Sequence, residues 1–398
     1  MVKKGYKQTE IGVIPEDWEV KRLGDIGEPK MCKRIFKNQT KKSGDIPFYK
    51  IGTFGKKADA FISKDMYEEY KNKFPYPKKG EILISASGTI GKTVVYNGEN
   101  AYYQDSNIVW ITNNEKLIKN NLLYYYYQII KWTTENTTIS RLYNDILKEI
   151  KIPIPQKPEQ EKIAKVLSDT DELIENLKEL ITKKEDIKKA TMQQLLTGKK
   201  QLKGFSGEWV KRNIKKFGTV ITGATPPTNI QYYWNGNIPW ITPTDITEQK
   251  NISISERMIT SEGLKQIRTI PKNSILVTCI ASIGKNAILT KEGACNQQIN
   301  AIIPNDKFDY EFIYYLIELN KNYLIAKAGV TATPIISKYD FEQFEFYVPQ
   351  DINEQKAIAK ILSDMDEEIE ALKEKLEKIK AIKQGMMQEL LSGRIRLI

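Results

Sequence analysis

A stretch of 44 residues occurs twice in this chain, at a constant offset of 195 residues and without a gap. The two copies are residues 159–202 and 354–397, and 24 of the 44 positions are identical. A repeat with a fixed period usually marks a repeated structural unit, so it constrains the architecture more than any shorter motif. Here it divides the chain into two halves that end in the same kind of segment.

Each copy predicts one long helix with a narrow apolar seam. Apolar residues follow one another at alternating spacings of four and three, which is the a/d pattern of a coiled coil. The predicted core of the helix pair consists of Ile163, Leu167, Ile174, Leu177, Ile358, Leu362, Ile369 and Leu372. Further along, a phase slip is expected to move the seam to Ile187 and Met192 in the first copy and to Ile382, Met386 and Leu390 in the second. Gly198 and Gly393 follow the last apolar turns and are expected to end the helices.

The predicted helices are too long to be buried in one small domain. A helix of roughly 36 residues is about 54 Å long at 1.5 Å per residue. Its seam is too narrow for a helix that is covered on several sides, so one long partner is expected. The other copy is the nearest candidate. Antiparallel pairing of the copies would form a coiled coil and give a pseudo-two-fold, circular arrangement in which the two chain ends meet. The alternative is two separate helical arms, each packed on its own domain or on another protein.

The segments that precede the helices are related to each other more distantly. Residues 81–92, EILISASGTIGK, match residues 274–285, SILVTCIASIGK. Short β-branched runs between glycine, proline and asparagine residues predict strands joined by turns. The expected fold class is therefore α/β, in the sense of mixed α+β, with two sheet-based domains separated by the two helices. The expected boundaries are 1–155 and 203–349 for the domains, and 156–202 and 350–398 for the helices.

Composition limits the environment and the partners of the chain. Its 61 basic and 50 acidic side chains give a formal charge of +11, which favours a polyanionic partner, although lysine-rich surfaces also serve solubility. No apolar run approaches the length of a membrane span, and the N-terminus lacks the apolar centre of a signal peptide. Three scattered cysteines suggest a reducing cytoplasm rather than a disulfide framework.

The sequence offers little for catalysis. It contains no histidine, which removes the commonest general base and most zinc sites, so no metal site is expected. Residues 86–93, ASGTIGKT, approach a phosphate-binding loop, but the β-branched residues that follow favour a strand over the required helix. Residues 45–48, DIPF, and 237–240, NIPW, approach the base-binding motif of adenine methyltransferases, with isoleucine in place of its first proline. For residues 86–93 and their counterpart, a tight turn between strands that presents Lys92 and Lys285 is the preferred interpretation. For residues 45–48 and 237–240, packing at strand edges is preferred.

Several features together resemble one known family. Two divergent domains are each followed by a near-identical helix, the chain begins YKQTEIGVIPEDWEVKRLGDIG at residue 6, and the junction IPIPQKPEQEKIAKVLSDTDELI precedes helix ends of the form LLTGK and LLSGR. In this order the chain is similar, over essentially its whole length, to the specificity (S) subunit of type I restriction-modification enzymes. The helix repeats carry the resemblance most strongly, whereas the intervening segments match only in outline.

The resemblance implies a non-catalytic, cytoplasmic reader of double-stranded DNA. Each target-recognition domain would read one half of a bipartite sequence, and the helices would act as a spacer and as the docking surface for two modification (methylase) subunits. No cofactor is expected on this chain. S-adenosylmethionine would bind the methylase subunits, and ATP and Mg would serve the restriction subunits of systems that have them.

Residues at matching positions in the two domains are the candidates for contact with DNA. Lysines at turns usually meet phosphates, and amides can read base edges, although amides in turns often serve the fold alone. Lys92 is matched to Lys285, Gln104 with Asn107 to Gln297 with Asn300, and, within segments 139–145 and 336–340, Arg141 to Lys338. The full set of candidates is Lys50, Lys92, Gln104, Asn107, Arg141, Thr244, Lys285, Gln297, Asn300 and Lys338.

Two other classes of function remain open at this point. One is an adaptor that binds two protein partners without DNA, for which the repeated helix would be equally suited. The other is an enzyme with a site that no motif reveals. Repeated charges outside the seam, such as Lys165 with Asp169 and Lys360 with Asp364, favour two equivalent docking faces, with recent duplication as the simpler explanation.

Overall fold

The computed structural model describes residues 2–132, 141–328 and 334–397. The chain divides into two compact units. Unit 1 comprises Met1–Lys178 together with Lys375–Ile398, and unit 2 comprises Glu179–Glu374. Each long helix begins in one unit and ends in the other, so both units contain parts of both helices.

Unit 1 contains short strands, short helices and the beginning of the first long helix. Its strands are β1 (Tyr6–Thr9), β2 (Gly12–Pro15), β3 (Glu19–Arg22), β4 (Pro29–Lys30), β5 (Ile46–Tyr49), β6 (Phe61–Ile62), β7 (Ile82–Ser85), β8 (Thr93–Val95), β9 (Tyr102–Tyr103), β10 (Ile108–Ile111) and β11 (Lys151–Ile154). Its helices are α1 (Leu23–Ile26), α2 (Lys64–Lys73), α3 (Asn120–Ile129), α4 (Asn144–Glu149) and the start of α5 (Lys157–Leu195). Short 3-10 turns occur at Lys37–Gln39 and Ile51–Thr53.

Unit 2 follows the same order. Its strands are β12 (Trp209–Asn213), β13 (Gly218–Thr222), β14 (Trp234–Ile241), β15 (Asn251–Ile252), β16 (Met258–Ile259), β17 (Ser274–Thr278), β18 (Asn286–Leu289), β19 (Ala294–Cys295), β20 (Ile299–Pro304) and β21 (Glu345–Pro349). Its helices are α6 (Ser261–Leu264), α7 (Tyr310–Leu319), α8 (Lys321–Lys327), α9 (Lys338–Gln343) and the start of α10 (Ile352–Leu390), with 3-10 turns at Ile214–Lys216 and Gln231–Tyr233.

The sheets of the two units share one pattern of strand pairing. In unit 1 the strand orders are β4-β10-β7-β8, β6-β5-β9 and β11-β3, with β1 and β2 forming a separate hairpin. In unit 2 they are β13-β20-β17-β18-β15, β16-β14-β19 and β12-β21. Both three-stranded sheets combine one antiparallel and one parallel partner around the middle strand. The clearest difference is β15, which adds a fifth strand beside β18.

The central strands are buried because their sequences are continuously apolar. All four residues of β7 and all five of β17 are buried, as expected for strands covered on both faces. Helices α3 and α7 pack on these sheets through buried apolar and aromatic side chains. These contacts confirm the predicted mixed architecture. None of the described helices is long and apolar enough to cross a membrane.

The long helices pack against each other within each unit, and the direction is antiparallel. In unit 2, Lys184 of α5 pairs with Glu368 of α10 at 2.6 Å, and one turn later Lys188 pairs with the earlier residue Asp366. In unit 1, Ile163 near the start of α5 shares a core cluster with Leu390 near the end of α10. The predicted pairing of the two copies is therefore confirmed.

The helix ends are more deeply enclosed than the narrow seam suggested. Ile163 and Leu167 are completely buried in the core of unit 1 beside Leu390 and Leu391. In unit 2, Leu362 is likewise buried among residues of α7. Each long helix therefore belongs to the hydrophobic core of a domain at both ends, rather than touching only one partner along its length.

Of the predicted seam residues, Leu372 is half-buried and the other seven are buried: Ile163, Leu167, Ile174, Leu177, Ile358, Leu362 and Ile369. The predicted phase slip is wrong at Ile187 and Ile382, which are 43% and 45% exposed. Its other members lie inward, because Met192 and Leu390 are buried and Met386 is half-buried.

Two glycines follow the helix ends as predicted, and the backbone requires them. Gly198 has φ +70° and Gly393 has φ +73°, in the left-handed region that glycine adopts without strain. A Cβ atom on Gly393 would also lie 2.5 Å from a side-chain atom of Pro15. A larger residue at position 393 would therefore meet both backbone strain and a steric clash.

Candidate nucleic-acid interface

Loops of unit 2 that are distant in sequence lie side by side at one edge. Three backbone hydrogen bonds join them. The N–H of Asn296 donates to the carbonyl of Ile241 at 2.9 Å, that of Cys279 to the carbonyl of Gln298 at 2.8 Å, and that of Ile336 to the carbonyl of Cys279 at 2.8 Å. We call this set loop edge 2; it comprises residues 223–226, 242–245, 279–285, 296–298 and 334–338.

Unit 1 has the same arrangement at its equivalent edge. Three backbone hydrogen bonds show this. The N–H of Gln104 donates to the carbonyl of Tyr49 at 2.9 Å, that of Ala86 to the carbonyl of Asn107 at 2.8 Å, and that of Leu142 to the carbonyl of Ala86 at 2.9 Å. We call this set loop edge 1; it comprises residues 50–55, 86–92, 104–107 and 141–143. Most of the residues predicted to contact DNA lie on one of these two edges.

The paired lysines occupy equivalent turns but have different surroundings. Both turns join antiparallel strands, β7 to β8 and β17 to β18. Residues 86–93, which approach a phosphate-binding loop in sequence, therefore form a turn between strands, as predicted. Lys92 is half-buried and its ammonium donates a hydrogen bond to the carbonyl of Phe54. Lys285 is also half-buried, and its ammonium makes no hydrogen bond or ion pair with the described residues. Lys92 therefore fixes a neighbouring loop, whereas Lys285 retains all its donors.

The two amides of loop edge 1 each use their oxygen within the protein. The Gln104 Oε1 accepts the Ile51 backbone N–H at 3.0 Å, and the Asn107 Oδ1 accepts the Ser87 hydroxyl at 2.9 Å. Because a backbone N–H can only donate, the orientation of the Gln104 amide is fixed by its partner. Its Nε2 group has no partner among the described residues and offers two donors.

The register of the strands corrects the match of amides between the halves. Asn107 precedes Ile108, which lies opposite Ser85, and the equivalent residue opposite Thr278 is Ile299. Asn107 therefore corresponds to Gln298 instead of Asn300, because unit 2 is one residue shorter before β19 and one residue shorter in the turn before β20. Gln104 corresponds to Asn296 instead of Gln297, because the backbone N–H of each donates to the equivalent carbonyl, of Tyr49 and of Ile241.

Gln297 and Asn300 consequently lie in different environments. Gln297 is exposed on loop edge 2 and its Oε1 accepts the Thr225 hydroxyl at 2.7 Å. Asn300 is only 2% exposed, in strand β20, where it is bonded to Cys279 and Thr222. This burial leaves Asn300 no surface for a base edge, so we leave it out of the proposed interface.

The match of Arg141 with Lys338 also shifts. Residues 139 and 140 of the compared segment lie outside the described residues, but the β-bridges pair Arg141 with Ser87 and Ile335 with Ile280. Arg141 therefore corresponds to Ile335, and its guanidinium donates to the Ser106 carbonyl at 2.8 Å. Lys338 instead begins α9, where it lies 3.5 Å from Glu342.

The remaining candidates, Lys50 and Thr244, lie on the loop edges as well. Lys50 pairs with Asp59 at 2.8 Å and is partly exposed. Thr244 is exposed, with its hydroxyl 2.8 Å from that of Thr242. Neither contact buries the side chain, so both residues remain accessible at the surface.

Arg257 was not found by sequence reasoning. Its guanidinium stacks 3.8 Å from the ring centre of Trp234 and 5.1 Å from that of Trp240, although the residue remains exposed. The Trp240 indole donates to the Ala224 carbonyl at 2.8 Å, which places the stack beside loop edge 2. Two tryptophans six residues apart in one strand could have signalled the stack, but the partner arginine lies on another segment.

Each recognition domain is joined to the helix pair by a repeated triad. In unit 1 the Asp171 carboxylate accepts hydrogen bonds from the Tyr125 hydroxyl and the Lys383 ammonium. In unit 2, Asp366 accepts them from Tyr315 and Lys188. Burial and the adjacent carboxylate raise the pKa of both tyrosines, which keeps their hydroxyls protonated as donors. Asp171 and Asp366 thus connect the two long helices to a helix of the domain in their own unit.

A second repeated contact secures the start of each long helix. The Trp18 indole donates to Glu159 at 2.9 Å, and the Trp209 indole donates to Glu354 at 3.3 Å. In unit 1, Arg396 also binds Glu159 at 2.8 Å and Asp17 at 2.8 Å, which joins the two ends of the chain. The equivalent of Arg396 in the repeat is Gln201, whose amide lies 3.4 Å from Glu354.

Other faces of the helices carry repeated surface ion pairs. Lys165 pairs with Asp169 at 2.9 Å in unit 1, and Lys360 pairs with Asp364 at 2.9 Å in unit 2. All four side chains are more than half exposed, so these pairs contribute little to stability. They are accessible to a partner protein.

The described residues contain no group of histidine, cysteine, aspartate or glutamate that could hold a metal ion. Burial raises the pKa of the Cys32 and Cys279 thiols to about 12, and it also raises that of Cys295. Buried thiols in this state are poor nucleophiles. The three cysteines therefore pack as small apolar residues.

These features define a protein with two similarly built units that share a pair of long helices. The family model described as the type I restriction modification DNA specificity domain matches residues 15–186 and again residues 206–381. The chain therefore belongs to the type I restriction-modification specificity family, whose general role is recognition of the DNA target. This confirms the resemblance and the expectation of a specificity subunit rather than a catalytic one.

Named relatives and solved structures agree with the family. A putative specificity subunit from Haemophilus influenzae is 57% identical over 44% of this chain and 46% of its own length. The putative MjaX specificity subunit of Methanocaldococcus jannaschii is 28% identical over 99% of this chain and 97% of its own length. The S subunit from M. genitalium has a TM-score of 0.59 at 16% identity, over 94% of this chain and 96% of that one, which shows the shared fold.

Proposed function

We propose that this chain reads a bipartite DNA target, with loop edge 1 contacting one half-site and loop edge 2 contacting the other. The observation that carries the proposal is that the two edges have the same backbone framework but different side chains. Equivalent hydrogen bonds hold the loops in both units, whereas the positions of Gln104, Asn107 and Arg141 are occupied in unit 2 by Asn296, Gln298 and Ile335. A constant framework with variable side chains is suited to reading two different sequences.

Exchange of a donor for an acceptor at one edge tests this assignment. Gln104→Glu retains the oxygen that accepts the Ile51 N–H and replaces the outward NH₂ donors with a carboxylate oxygen. Gln297→Glu makes the same change on loop edge 2. We expect each variant to change the preferred bases in one half of the methylated motif and to leave the other half unchanged. Mapping of methyladenine in cells that carry the cognate methylase measures this.

Matched controls separate base reading from general weakening. Gln194→Glu makes the same chemical change at an exposed helix position where the repeat already has Glu389, and it should leave the motif unchanged. A change of preferred bases in both half-sites of Gln104→Glu would contradict two-part reading through these edges. So would an unchanged motif in both loop-edge variants. Binding that is independent of salt concentration would instead favour an adaptor without DNA contact.

We further propose that the helices dock two modification subunits, one per repeat. The repeated, exposed Lys165–Asp169 and Lys360–Asp364 pairs support this, since packing within the helix pair does not require them. S-adenosylmethionine would then be bound by the docked methylases, and ATP and Mg by restriction subunits. Mass measurement of the saturated complex should give two methylases per chain. A saturated complex with only one methylase per chain would contradict symmetric docking.

A variant of each repeat sharpens the docking test. Charge reversal of one pair, Lys165→Glu with Asp169→Lys, preserves the local ion pair but presents opposite charges to a partner. The matched variant is Lys360→Glu with Asp364→Lys. We expect each double variant to reduce the stoichiometry from two methylases to one, because only one docking face is changed. Unaltered stoichiometry in both would exclude these pairs from the docking surface.

A further inference from the structure

The outer edge of the main sheet differs between the two units. In unit 2, strand β18 pairs with β17 on one side and with the parallel strand β15 on the other. In unit 1 the equivalent strand is β8, and within the described part of the chain it pairs only with β7. Val95 in this strand is 44% exposed. An unpaired strand edge presents a row of backbone donors and acceptors to any extended chain.

The pairing registers identify the unpaired backbone groups. In unit 2 the amides of Ile288 and Thr290 donate to the carbonyls of Lys250 at 2.8 Å and Ile252 at 2.9 Å. Ile288 lies opposite Ile275, and in unit 1 the residue opposite the equivalent Ile82 is Val95. The Val95 and Asn97 amides therefore occupy the positions of these two donors. The intervening Tyr96 amide points the other way and donates to Glu81 at 2.9 Å.

The side-chain site next to β15 has a counterpart in unit 1 as well. The Lys250 ammonium donates to Glu311 at 3.1 Å and to Ser363 at 2.7 Å, and it lies 5.4 Å from the centre of the Tyr315 ring. These three residues correspond in unit 1 to Asn121, Ser168 and Tyr125. All three of the unit 1 residues line an open groove of about 1000 Å³, together with Val95 of the unpaired strand.

The charges around this groove fit a basic side chain at one end. Glu161 lines the groove and makes no ion pair with the described residues, so it adds negative charge to the groove, about 10.5 Å along α5 from Ser168 at 1.5 Å per residue. Two of the lysines in the lining, Lys119 and Lys165, are already paired with acidic residues. Lys78 and Lys79 are at the other end, near the start of β7.

We propose that β8 and this groove bind an extended segment of a partner polypeptide, which adds to the sheet as a strand parallel to β8. A lysine or arginine of that segment would reach Ser168 and Tyr125, and Glu161 would attract its charge from about two turns away on α5. The occupant would thus take the place that residues 250–252 take in unit 2. Strand addition of this kind derives affinity from backbone hydrogen bonds and specificity from alternate side chains. The proposal does not depend on DNA reading by either loop edge.

The chain itself supplies a probe for this surface. A fluorescent peptide with the sequence of residues 247–254, TEQKNISI, contains the strand that fills the equivalent position in unit 2. We expect saturable binding of this peptide to the full chain, measured by fluorescence anisotropy. Replacement of the peptide lysine by alanine should weaken binding, because the contacts equivalent to those of Lys250 are lost.

Val95→Pro tests the backbone contacts directly. Proline removes the outward Val95 N–H, and it is tolerated in an edge strand when that N–H faces away from the sheet. Loss of one backbone hydrogen bond should weaken peptide binding about tenfold. Val95→Ala retains the N–H but shortens a side chain that lines the groove, so it is the matched control and the proline variant should bind more weakly than the alanine variant. Equal affinity of the proline and alanine variants would overturn the proposal.

A modified peptide gives the same test without a change in the protein. N-methylation at the position of Ile252 removes the donor that a parallel strand directs to the sheet, and should abolish binding even if Val95→Pro fails to fold. Undiminished binding of the methylated peptide, or no saturable binding of the parent peptide, would contradict the proposal. A concentration-dependent dimer of the chain that Val95→Pro abolishes would also overturn it, because a second copy would then be the occupant.

Discussion

At the scale of single residues, Lys92 and Lys285 are matched in sequence but differ in their contacts, because only the Lys92 ammonium donates a hydrogen bond to the described residues. The Lys285 ammonium has no partner among the described residues, so within the proposed interface it is available to a phosphate. We expect Lys285→Ala to weaken binding to all DNA sequences and to lower the slope of log K against log salt by about 0.9, the value for one phosphate contact. Fluorescence anisotropy at several salt concentrations measures this slope.

Lys92→Ala is the matched comparison. The Lys92 ammonium holds the carbonyl of Phe54, so its removal should lower the free energy of unfolding by about 1 kcal/mol. The salt dependence of DNA binding should change less than in Lys285→Ala. An equal change in slope for the two variants would mean that Lys92 leaves Phe54 to meet DNA. An unchanged slope in Lys285→Ala would remove Lys285 from the interface.

At the scale of elements, the sequence predicted the helices better than it predicted the positions of residues between them. The repeated a/d pattern led to helices that begin at Lys157 and Ile352, again 195 residues apart. Periodicity is a local property of the sequence, so it survives without knowledge of the tertiary fold.

Strand register is different, because it depends on pairing between distant segments. The match of Asn107 with Asn300 failed because unit 2 is one residue shorter before β19 and one residue shorter in the turn before β20. The helix pattern also did not predict the exposure of Ile187 or the hydrogen bonds of Asp171 to Tyr125 and Lys383. Both depend on which side of the helix the domain covers, and the apolar spacing of one helix does not contain that information.

The contact of Arg396 with Glu159 and Asp17 makes one element sensitive to acid. A hydrogen bond from Arg396 lowers the pKa of Asp17. Burial opposes ionisation of Glu159, but bonds from Arg396, Trp18 and Leu397 prevail and lower its pKa as well. Since both folded-state pKa values lie below the ordinary ones, the stabilisation is fully present above about pH 4.5 and is lost as the pH falls through the lowered values.

Arg396→Gln introduces the residue that the repeat has at Gln201 and tests this contact. We expect the variant to lower the free energy of unfolding at neutral pH by about 1–3 kcal/mol, the range for hydrogen bonds to charged groups. The difference from the parent chain should shrink as the pH is lowered from 5 toward 3 (roughly the window in which such carboxylates are protonated). Thermal unfolding across this pH range measures it.

The neighbouring Arg394 provides the control for that experiment. Arg394 pairs with Glu389 at 2.8 Å, but its side chain is 57% exposed, so Arg394→Gln should have little effect at any pH. The role assigned to Asp17 and Glu159 would be contradicted if the two variants lowered the free energy of unfolding equally. A decrease in Arg396→Gln that does not depend on pH would contradict it as well.

At the scale of the whole molecule, the repeat gives each unit its own recognition surface and its own share of both helices. Helix ends, triads and tryptophan contacts tie each domain to the helices by equivalent residues. The differences between the units, such as β15 and Arg257, lie on the domains. We infer that duplication preserved the means of attachment and allowed the recognition surfaces to diverge.

The proposed spacer role of the helices leads to a prediction about the DNA target. Insertion of seven residues into both helices, after Lys178 and after Glu374, preserves the a/d pattern and adds about 10 Å at 1.5 Å per residue. At 3.4 Å per base pair, this length corresponds to roughly three base pairs. We expect the unspecified gap between the half-sites to lengthen by that amount while both half-sites stay the same, as measured by methyladenine mapping. An insertion in α5 alone breaks the pairing register and should abolish methylation. If the double insertion leaves the gap unchanged, the helices do not set the separation of the half-sites.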